Sequence, residues 1–310
     1  MNIYSSVSKY NNPRASVVTI GTFDGVHIGH KAILNRLITT AKNQDLDSVV
    51  LTFFPHPRMV LQTDSSIKLI NTIDERKDLL DKTGLDHLII HPFTKAFSRL
   101  TALEFVRDIL VHKLNIKKIV IGYDHRFGRN RNADIQDLKE FGLEYGFEVE
   151  EINAQELDEV AVSSTKIRTA LKVGDIQTAN TFLGYPFMLS GTVVKGKAIG
   201  RTIQYPTANL ELSEDYKLIP KKGVYVVKTS IDAKTVYGLT SIGTNPTVGG
   251  TAKTIETYFL NFIGDLYDKK LQIEFLTRVR DAETFESIDA LKKAIQSDEK
   301  FAINFLKKHE

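Results

Sequence analysis

The chain has 310 residues, 42% of them hydrophobic and 25% charged, with a formal net charge of +3. It has no cysteine, which excludes disulfides, thiolate metal sites and cysteine nucleophiles and fits a reducing cytoplasm, and the small net charge gives no electrostatic footprint for nucleic acid. The length predicts two domains or one large one, no apolar run is long enough for a membrane span, and residues 1–10 lack the apolar core of a signal peptide, so a soluble cytoplasmic protein with no membrane partner is expected.

The first strong signal is the stretch 17–30, V-V-T-I-G-T-F-D-G-V-H-I-G-H. An apolar β-type run over 17–20 turns through Gly21 and Gly25 and ends in His27 and His30. Ile33, Leu34, Leu37, Ile38 and Ala41 then recur at helical spacing. The histidines therefore stand where a buried strand hands over to a helix, at the edge where open parallel sheets bind ligands. A helix start offers N–H groups and a positive dipole end to a phosphate. Two imidazoles there can donate hydrogen bonds to phosphate oxygens and stabilise charge as a P–O bond breaks. Gly29 lets a ligand approach the backbone closely. A lone histidine in this place would be an ordinary cap; two of them behind a glycine-rich turn point to a site.

A second buried strand is predicted over 48–54. It stops at Pro55-His56-Pro57, because proline cannot continue the ladder; His56 reads equally as part of a rigid turn and as a ligand contact. Thr72 and Glu75 form a capping box that opens a helix through Leu80, closed by Gly84. Residues 88–90 are a third strand. Thr101 and Glu104 repeat the capping box before a helix whose apolar face is Leu103, Val106, Ile109, Leu110 and Leu114. A fourth strand over 119–121 leads into the polar loop 122–131, G-Y-D-H-R-F-G-R-N-R, then a helix over 135–145 and a strand near 147–152. Strands alternating with helices imply an α/β domain with a parallel sheet and right-handed crossovers. In the polar loop, Asp124, Arg126, Arg129 and Arg131 with Phe127 can hold a flavin or nucleotide, a solvated charged loop being the alternative. In S-S-T-K-I-R, residues 163–168, a hydroxyl can cap the helix that follows. Those hydroxyls, with Lys166 and Arg168 within a turn, also make an anion site. Such a site suits a polyphosphate, whose negative charge is concentrated.

Gly184-Tyr185-Pro186 reads as a connector. Beyond it, β-rich runs over 187–194, 224–229, 236–242, 255–262 and 271–275 predict a small antiparallel barrel. Phe285, Ile288, Leu291, Ile295, Phe301, Phe305 and Leu306 predict a C-terminal helix, broken near Ser297-Asp298, that packs an apolar stripe on the barrel. The segment 196–210, G-K-A-I-G-R-T-I-Q-Y-P-T-A-N-L, is not a P-loop. Gly196 and Gly200 nevertheless leave backbone N–H groups for phosphates. Thr207 and Asn209 alternate along a strand and share a side. Their oxygens suit Mg²⁺ shared with ATP phosphates, although alone they read as ordinary strand polar groups.

These motifs together resemble the bacterial bifunctional riboflavin kinase/FAD synthetase family. H-I-G-H preceded by G-T-F-D-G is similar to the flavin-adenylylating branch of the nucleotidyltransferases, and S-S-T-K-I-R fits that branch's S-S-T-x-I-R. P-T-A-N, P-K-K-G-V-Y-V-V (220–227), S-I-G-T-N-P-T (241–247), I-E-T-Y-F-L-N-F-I-G-D-L-Y (255–267) and F-L-T-R-V-R-D-A-E-T-F (275–285) are similar to the riboflavin kinase barrel. The resemblance spans almost the entire chain. It implies a Rossmann-like nucleotidyltransferase domain over 1–183, an FMN adenylyltransferase, and a riboflavin kinase barrel with a C-terminal helix over 184–310. It implies phosphorylation of riboflavin by ATP to FMN, then adenylylation of FMN by ATP to FAD, with Mg²⁺. It places catalytic roles on His27, His30, Arg168 and Glu256, the last as base. ATP contacts fall on Gly21, Phe23, Asp24, Gly29, Ser164, Thr165, Gly196, Gly200 and Arg201, flavin contacts on Asp124, Phe127 and Arg280, and Mg²⁺ on Thr207 and Asn209. Two departures stand out: His125 replaces the first Phe of the family's G-x-D-F-x-F-G, and Gln204-Tyr205 replaces Gly-Phe in G-R-x-x-G-F-P-T-A-N. Rival readings are an adenylyltransferase with a silent barrel, for which Gln204 is the only hint, a transferase acting on a different phosphate, and a flavin sensor, which would have no need of pyrophosphate-handling groups.

Overall fold

Strand residues buried on both faces mark the centre of the first half. Ser16–Ile20 (β2) is buried at every position, and Asp47–Phe53 (β3) at all but its first, as parallel strands covered on both sides must be. The computed structural model describes residues 1–62, 66–122, 126–153, 162–196, 200, 203–247 and 250–308. The chain divides into two compact units, Met1–Ser163 and Ser164–Glu310.

In the first unit, Asn2–Tyr4 (β1), His87–His91 (β4), Ile116–Gly122 (β5) and Glu148–Ile152 (β6) join β2 and β3 in a parallel sheet of order β1-β4-β3-β2-β5-β6. Alternating strand residues feed two cores. Val18, Ile20, Val49, Leu51, Ile119 and Ile121 meet Phe105, Val106, Leu110 and Leu138. Val17, Val50, Leu88 and Val120 meet Leu34, Leu37, Ile38 and Leu80. The α-helices of this unit are Ile28–Asn43 (α1), Pro57–Leu61 (α2), Ile73–Asp81 (α3), Ala102–Glu104 (α4) and Ile135–Tyr145 (α5). Successive strands run outward one way from β2 and then resume at β5 on its other side. The C-terminal ends of β2 and β5 are therefore a topological switch point.

Both predicted capping boxes form, at Thr72/Glu75 and Thr101/Glu104, and Asp134/Asp137 makes a third. The helix after Thr101 departs from expectation. It passes at once into a π-helical segment, Phe105–Val111, with the N–H groups of His112 and Leu114 bonded five residues back to Arg107 and Ile109. The wider turn changes the phase of the buried face, and Leu103, expected in the core, is 40% exposed.

The second unit opens with a helical pair, Ser164–Val173 (α6) and Ile176–Leu183 (α7). Met188–Val194 (β7), Thr207–Glu211 (β8), Gly223–Ile231 (β9), Lys234–Thr247 (β10), Gly250–Phe259 (β11) and Lys270–Arg280 (β12) then close into an antiparallel barrel of order β10-β11-β8-β7-β12-β9. Closure leaves no unpaired edge. Ile288–Lys307 (α8) is one continuous helix, without the expected break. Asp298 does not break it because its carboxylate is buried against Arg280. Ala302, Phe305 and Leu306 pack on Val224, Val226 and Leu239 of the barrel, whereas Ile288 and Phe301 are exposed.

Candidate active sites

The turn between β2 and α1 is built from unusual backbone. Gly25 has a φ of 92°, and the non-glycine residues Phe23 and Val26 also adopt positive φ, 48° and 35°. Such strain gathers at functional turns. His27 is the N-cap of α1, and its Nδ1 accepts the N–H of His30 at 3.3 Å. An acceptor Nδ1 places the proton of the neutral ring on Nε2. The two imidazoles stack with centroids 3.6 Å apart and planes 17° from parallel, and Phe23 lies 5.0 Å from His30 on the next layer. Gly21 lies directly against the Phe23 ring, and Gly29 against Nδ1 of His27. Nδ1 of His30 is buried and has no hydrogen-bond partner among the described residues. Burial, His27 and Arg76 hold the His30 pKa well below the usual imidazole range, so the ring is neutral near pH 7.

Asp24, which the resemblance places among the ATP contacts, is held from within the first unit. Its carboxylate accepts the N–H groups of Ile70 at 3.0 Å and Asn71 at 3.2 Å, and Nη2 of Arg76 stands 3.8 Å away. Both side chains are 1% exposed. A buried carboxylate needs such partners. The carboxylate thus ties the turn to the start of α3. Nothing in D-E-R-K marks Arg76 as different from a surface arginine; only the capping box, which fixes the first turn of α3, places it. His56 caps α2 through Nδ1, which accepts the N–H of Arg58 at 3.1 Å.

After β5, Asp124 and His125 lie outside the described residues. Phe127 is buried beside Phe105, and its backbone pairs with Ala133. Arg126, Arg129 and Arg131 are exposed, the last two in a turn where Asn130 and Arg131 take φ of 56° and 57°. In the second unit, α6 begins at Ser164. Ser164 and Arg168 are half-buried and Thr165 is exposed. Arg168 stands one turn along, on the face it shares with the two hydroxyl residues.

The barrel carries a third group of residues. Glu256 pairs in register with Asn209, and Tyr258 with Thr207, across β8 and β11. Alternation puts all four on one face, while Ile255, Thr257 and Phe259 fill the interior. The Thr207 hydroxyl lies 3.4 Å from Glu256 Oε2. Gly196 lies so close to the Asn209 amide that a Cβ would collide with it, and a Cβ on Gly200 would collide with the Tyr205 carbonyl. Tyr205 donates its N–H to the Gly200 carbonyl at 2.8 Å. Gln204 has a φ of 69°, which explains why glycine suits the position. Arg201 lies outside the described residues. Arg280 is engaged by Asp298 through two bonds of 2.8 Å and lies over the Phe285 ring. No group of three or more His, Asp or Glu side chains among the described residues could hold a metal.

Two family models match the chain, one described as FAD synthetase over residues 9–166 and one as riboflavin kinase over 183–306. A bifunctional riboflavin kinase/FMN adenylyltransferase of Escherichia coli (strain K12) is 37% identical over 290 residues, covering 93% of this chain and 92% of its own. Its counterpart in Listeria monocytogenes is 36% identical over 296 residues, covering 95% and 93%. A crystal structure described as a macrolide-efflux protein from Streptococcus pneumoniae matches with a TM-score of 0.89 at 33% identity, covering 97% of this chain and 98% of that one. Among the described residues, no helix is long and apolar enough to cross a membrane.

Proposed function

This chain belongs to the bifunctional riboflavin kinase/FMN adenylyltransferase family, and we propose how its residues divide that chemistry. The C-terminal kinase transfers the γ-phosphoryl group of ATP to riboflavin, giving FMN and ADP; the N-terminal FAD synthetase transfers AMP from ATP to FMN, giving FAD and pyrophosphate. We assign residues 1–183 to adenylyl transfer and 184–310 to the kinase, both acting in the cytoplasm.

In adenylyl transfer the FMN phosphate attacks the α-phosphorus of ATP, and the α–β bridging oxygen leaves on pyrophosphate. No covalent enzyme intermediate is required, so catalysis is alignment and charge stabilisation. His27 offers its Nε2–H, and neutral His30 offers a hydrogen bond without bringing a positive charge against its stacked neighbour. Ser164, Thr165 and Arg168 take up the charge of the departing pyrophosphate. Gly21, Phe23 and Gly29 shape the turn along which ATP lies.

In the kinase, Glu256 accepts the proton of the ribityl primary hydroxyl as that oxygen attacks the γ-phosphorus and ADP leaves. Thr207 steadies this carboxylate. Thr207 and Asn209 would hold Mg²⁺: neutral hydroxyl and amide oxygens on one face suit a hard cation that keeps several waters. A bound Mg²⁺ supplies neutralisation of phosphate charge. Gly196 and Gly200 bring backbone close to the phosphates.

The observation that supports the kinase assignment best is the in-register pairing of Glu256 with Asn209 beside Thr207. The test is chromatographic. Purified protein given riboflavin, ATP and Mg²⁺ is expected to build up FMN and then convert it to FAD. Riboflavin left untouched while supplied FMN becomes FAD would mean a silent barrel.

A further inference from the structure

Arg76 is the largest fully buried side chain among the described residues. It stands in the first turn of α3, where its N–H bonds the Thr72 carbonyl at 3.0 Å and the Thr72/Glu75 capping box fixes the backbone. Two forces oppose an arginine there. Its guanidinium gives up hydration, and a cation in the first turn opposes the helix dipole. What answers the charge comes from the β2–α1 turn of the same unit. Asp24 Oδ1 lies 3.8 Å from Arg76 Nη2, and the carboxylate also accepts the N–H groups of Ile70 and Asn71. Asp24 sits directly between Phe23 and Gly25, with Val26 next, and those three residues all have positive φ. A turn so strained persists only where its surroundings over-determine it. Phe23, Val26 and Leu80 of α3 share one core with Leu34 and Leu37 of α1. The Phe23 ring lies 5.0 Å from His30, which stacks on His27 at 3.6 Å. A continuous series of contacts therefore runs from Arg76 through Asp24 and Phe23 to both imidazoles, all of it within the first unit.

We propose that Arg76 is a positioning residue for adenylyl transfer: paired with Asp24, it braces the strained β2–α1 turn from beneath and fixes where His27 and His30 offer their donors to the phosphates. Misplacing such groups by about 1 Å can lower a rate as much as about 10²-fold. The buried charge also acts on the nearer ring. Burial first, then His27 and then Arg76, disfavour the imidazolium of His30, so the brace helps to keep that ring neutral. The proposal rests on the reading of His27 and His30 as phosphate donors.

The test uses the full-length protein, with FMN supplied for one assay and riboflavin for the other, and ATP KM and kcat taken separately. His30→Ala checks the underlying reading: if it leaves adenylylation unchanged, the donor reading fails whatever Arg76 does. Arg76→Met keeps most of the bulk and removes the charge. It is expected to lower the kcat of adenylylation at least about tenfold with ATP KM within about threefold, while kinase constants stay within about twofold. Arg76→Lys, which keeps the charge, should recover most of that kcat. Histidine ring NMR of the free protein gives a second readout, with His30 assigned by the signal that His30→Gln removes. In Arg76→Met, His30 is expected to titrate at a higher pH than in wild type, closer to the ordinary value of about 6.5. If Arg76→Met does not fold, Asp24→Asn decides. It removes the other half of the charge pair while its Oδ1 can still accept a backbone N–H, and the same fall in kcat is expected. A raised ATP KM with kcat unchanged in Asp24→Asn would mark a direct ATP contact and overturn the brace. Wild-type kcat in Arg76→Met while His30→Ala is impaired would also overturn the proposal, as would kinase and adenylylation falling in equal proportion, or His30 titrating as in wild type.

Discussion

Nδ1 of His27 accepts the backbone N–H of His30 while the two rings stack 3.6 Å apart. One side chain thus ends a helix and presents an Nε2 donor to the site. The two roles separate by substitution. Asn is as good an N-cap as any residue but has no imidazole. His27→Asn is expected to melt near wild type and to convert FMN to FAD about 10²-fold more slowly. His27→Ala should also lose about 1 kcal/mol of stability. Melting curves and the rate of FAD formation check both, and wild-type adenylylation in the Asn variant would contradict the donor role.

Neutral His30 makes stability depend on pH with a definite sign. Its folded pKa lies well below the usual range through burial, His27 and Arg76, while the unfolded value is about 6.5. Between the two, the unfolded chain binds one more proton. Stability is therefore full above about pH 6.5 and falls as pH is lowered beneath it. His91, lowered by burial, contributes with the same sign. Chemical denaturation from about pH 7.5 to about 5.5 should show a slope that His30→Gln reduces by up to about 1.4 kcal/mol per pH unit. Identical slopes in the two proteins would contradict a neutral His30 with a buried Nδ1.

Asn209 lies against Gly196, where a Cβ fits only if the Asn209 amide moves. Gly196→Ala would drive a Cβ into its amide and displace the proposed metal ligand. Kinase activity is expected to fall at least about tenfold with a raised Mg²⁺ requirement, and adenylylation of supplied FMN to stay unchanged. Titrating Mg²⁺ in both assays reads the difference.

Arg280 and Asp298 join β12 to α8 through two parallel bonds, with Asp298 the more buried of the two. Removing the arginine strands a carboxylate. Arg280→Ala is expected to lose about 3 kcal/mol, and Arg280→Lys to recover only part, since an ammonium cannot make the bidentate pair. The double variant Arg280→Ala/Asp298→Ala should be more stable than Arg280→Ala alone. Denaturant unfolding measures the coupling; strictly additive losses would show that the pair is not a unit.

Much of the fold was legible because its signals are local. The apolar run before His27, the capping boxes at Thr72 and Thr101 and the alternation at Thr207 and Asn209 each need only a few neighbouring residues to specify structure. What escaped depends on distant partners. Nothing in G-T-F-D-G announces that Asp24 accepts the N–H groups of Ile70 and Asn71 with Arg76 close by. Phe127 sits in a polar loop yet packs on Phe105. Asp298 looked like a helix break, and its reason for staying helical lies on another element, at Arg280. β1 is three residues long, too short to carry a period. The phase change after Glu104 comes from a π-helical segment that apolar spacing does not encode.

The most direct test of two separate sites on one chain is a split assay of wild type, Glu256→Ala and His30→Ala, with riboflavin or FMN supplied alongside ATP and Mg²⁺. Glu256→Ala should stop FMN formation and leave FMN-to-FAD conversion near wild type, and His30→Ala should do the reverse. Loss of both reactions from either substitution in a folded protein would contradict the account.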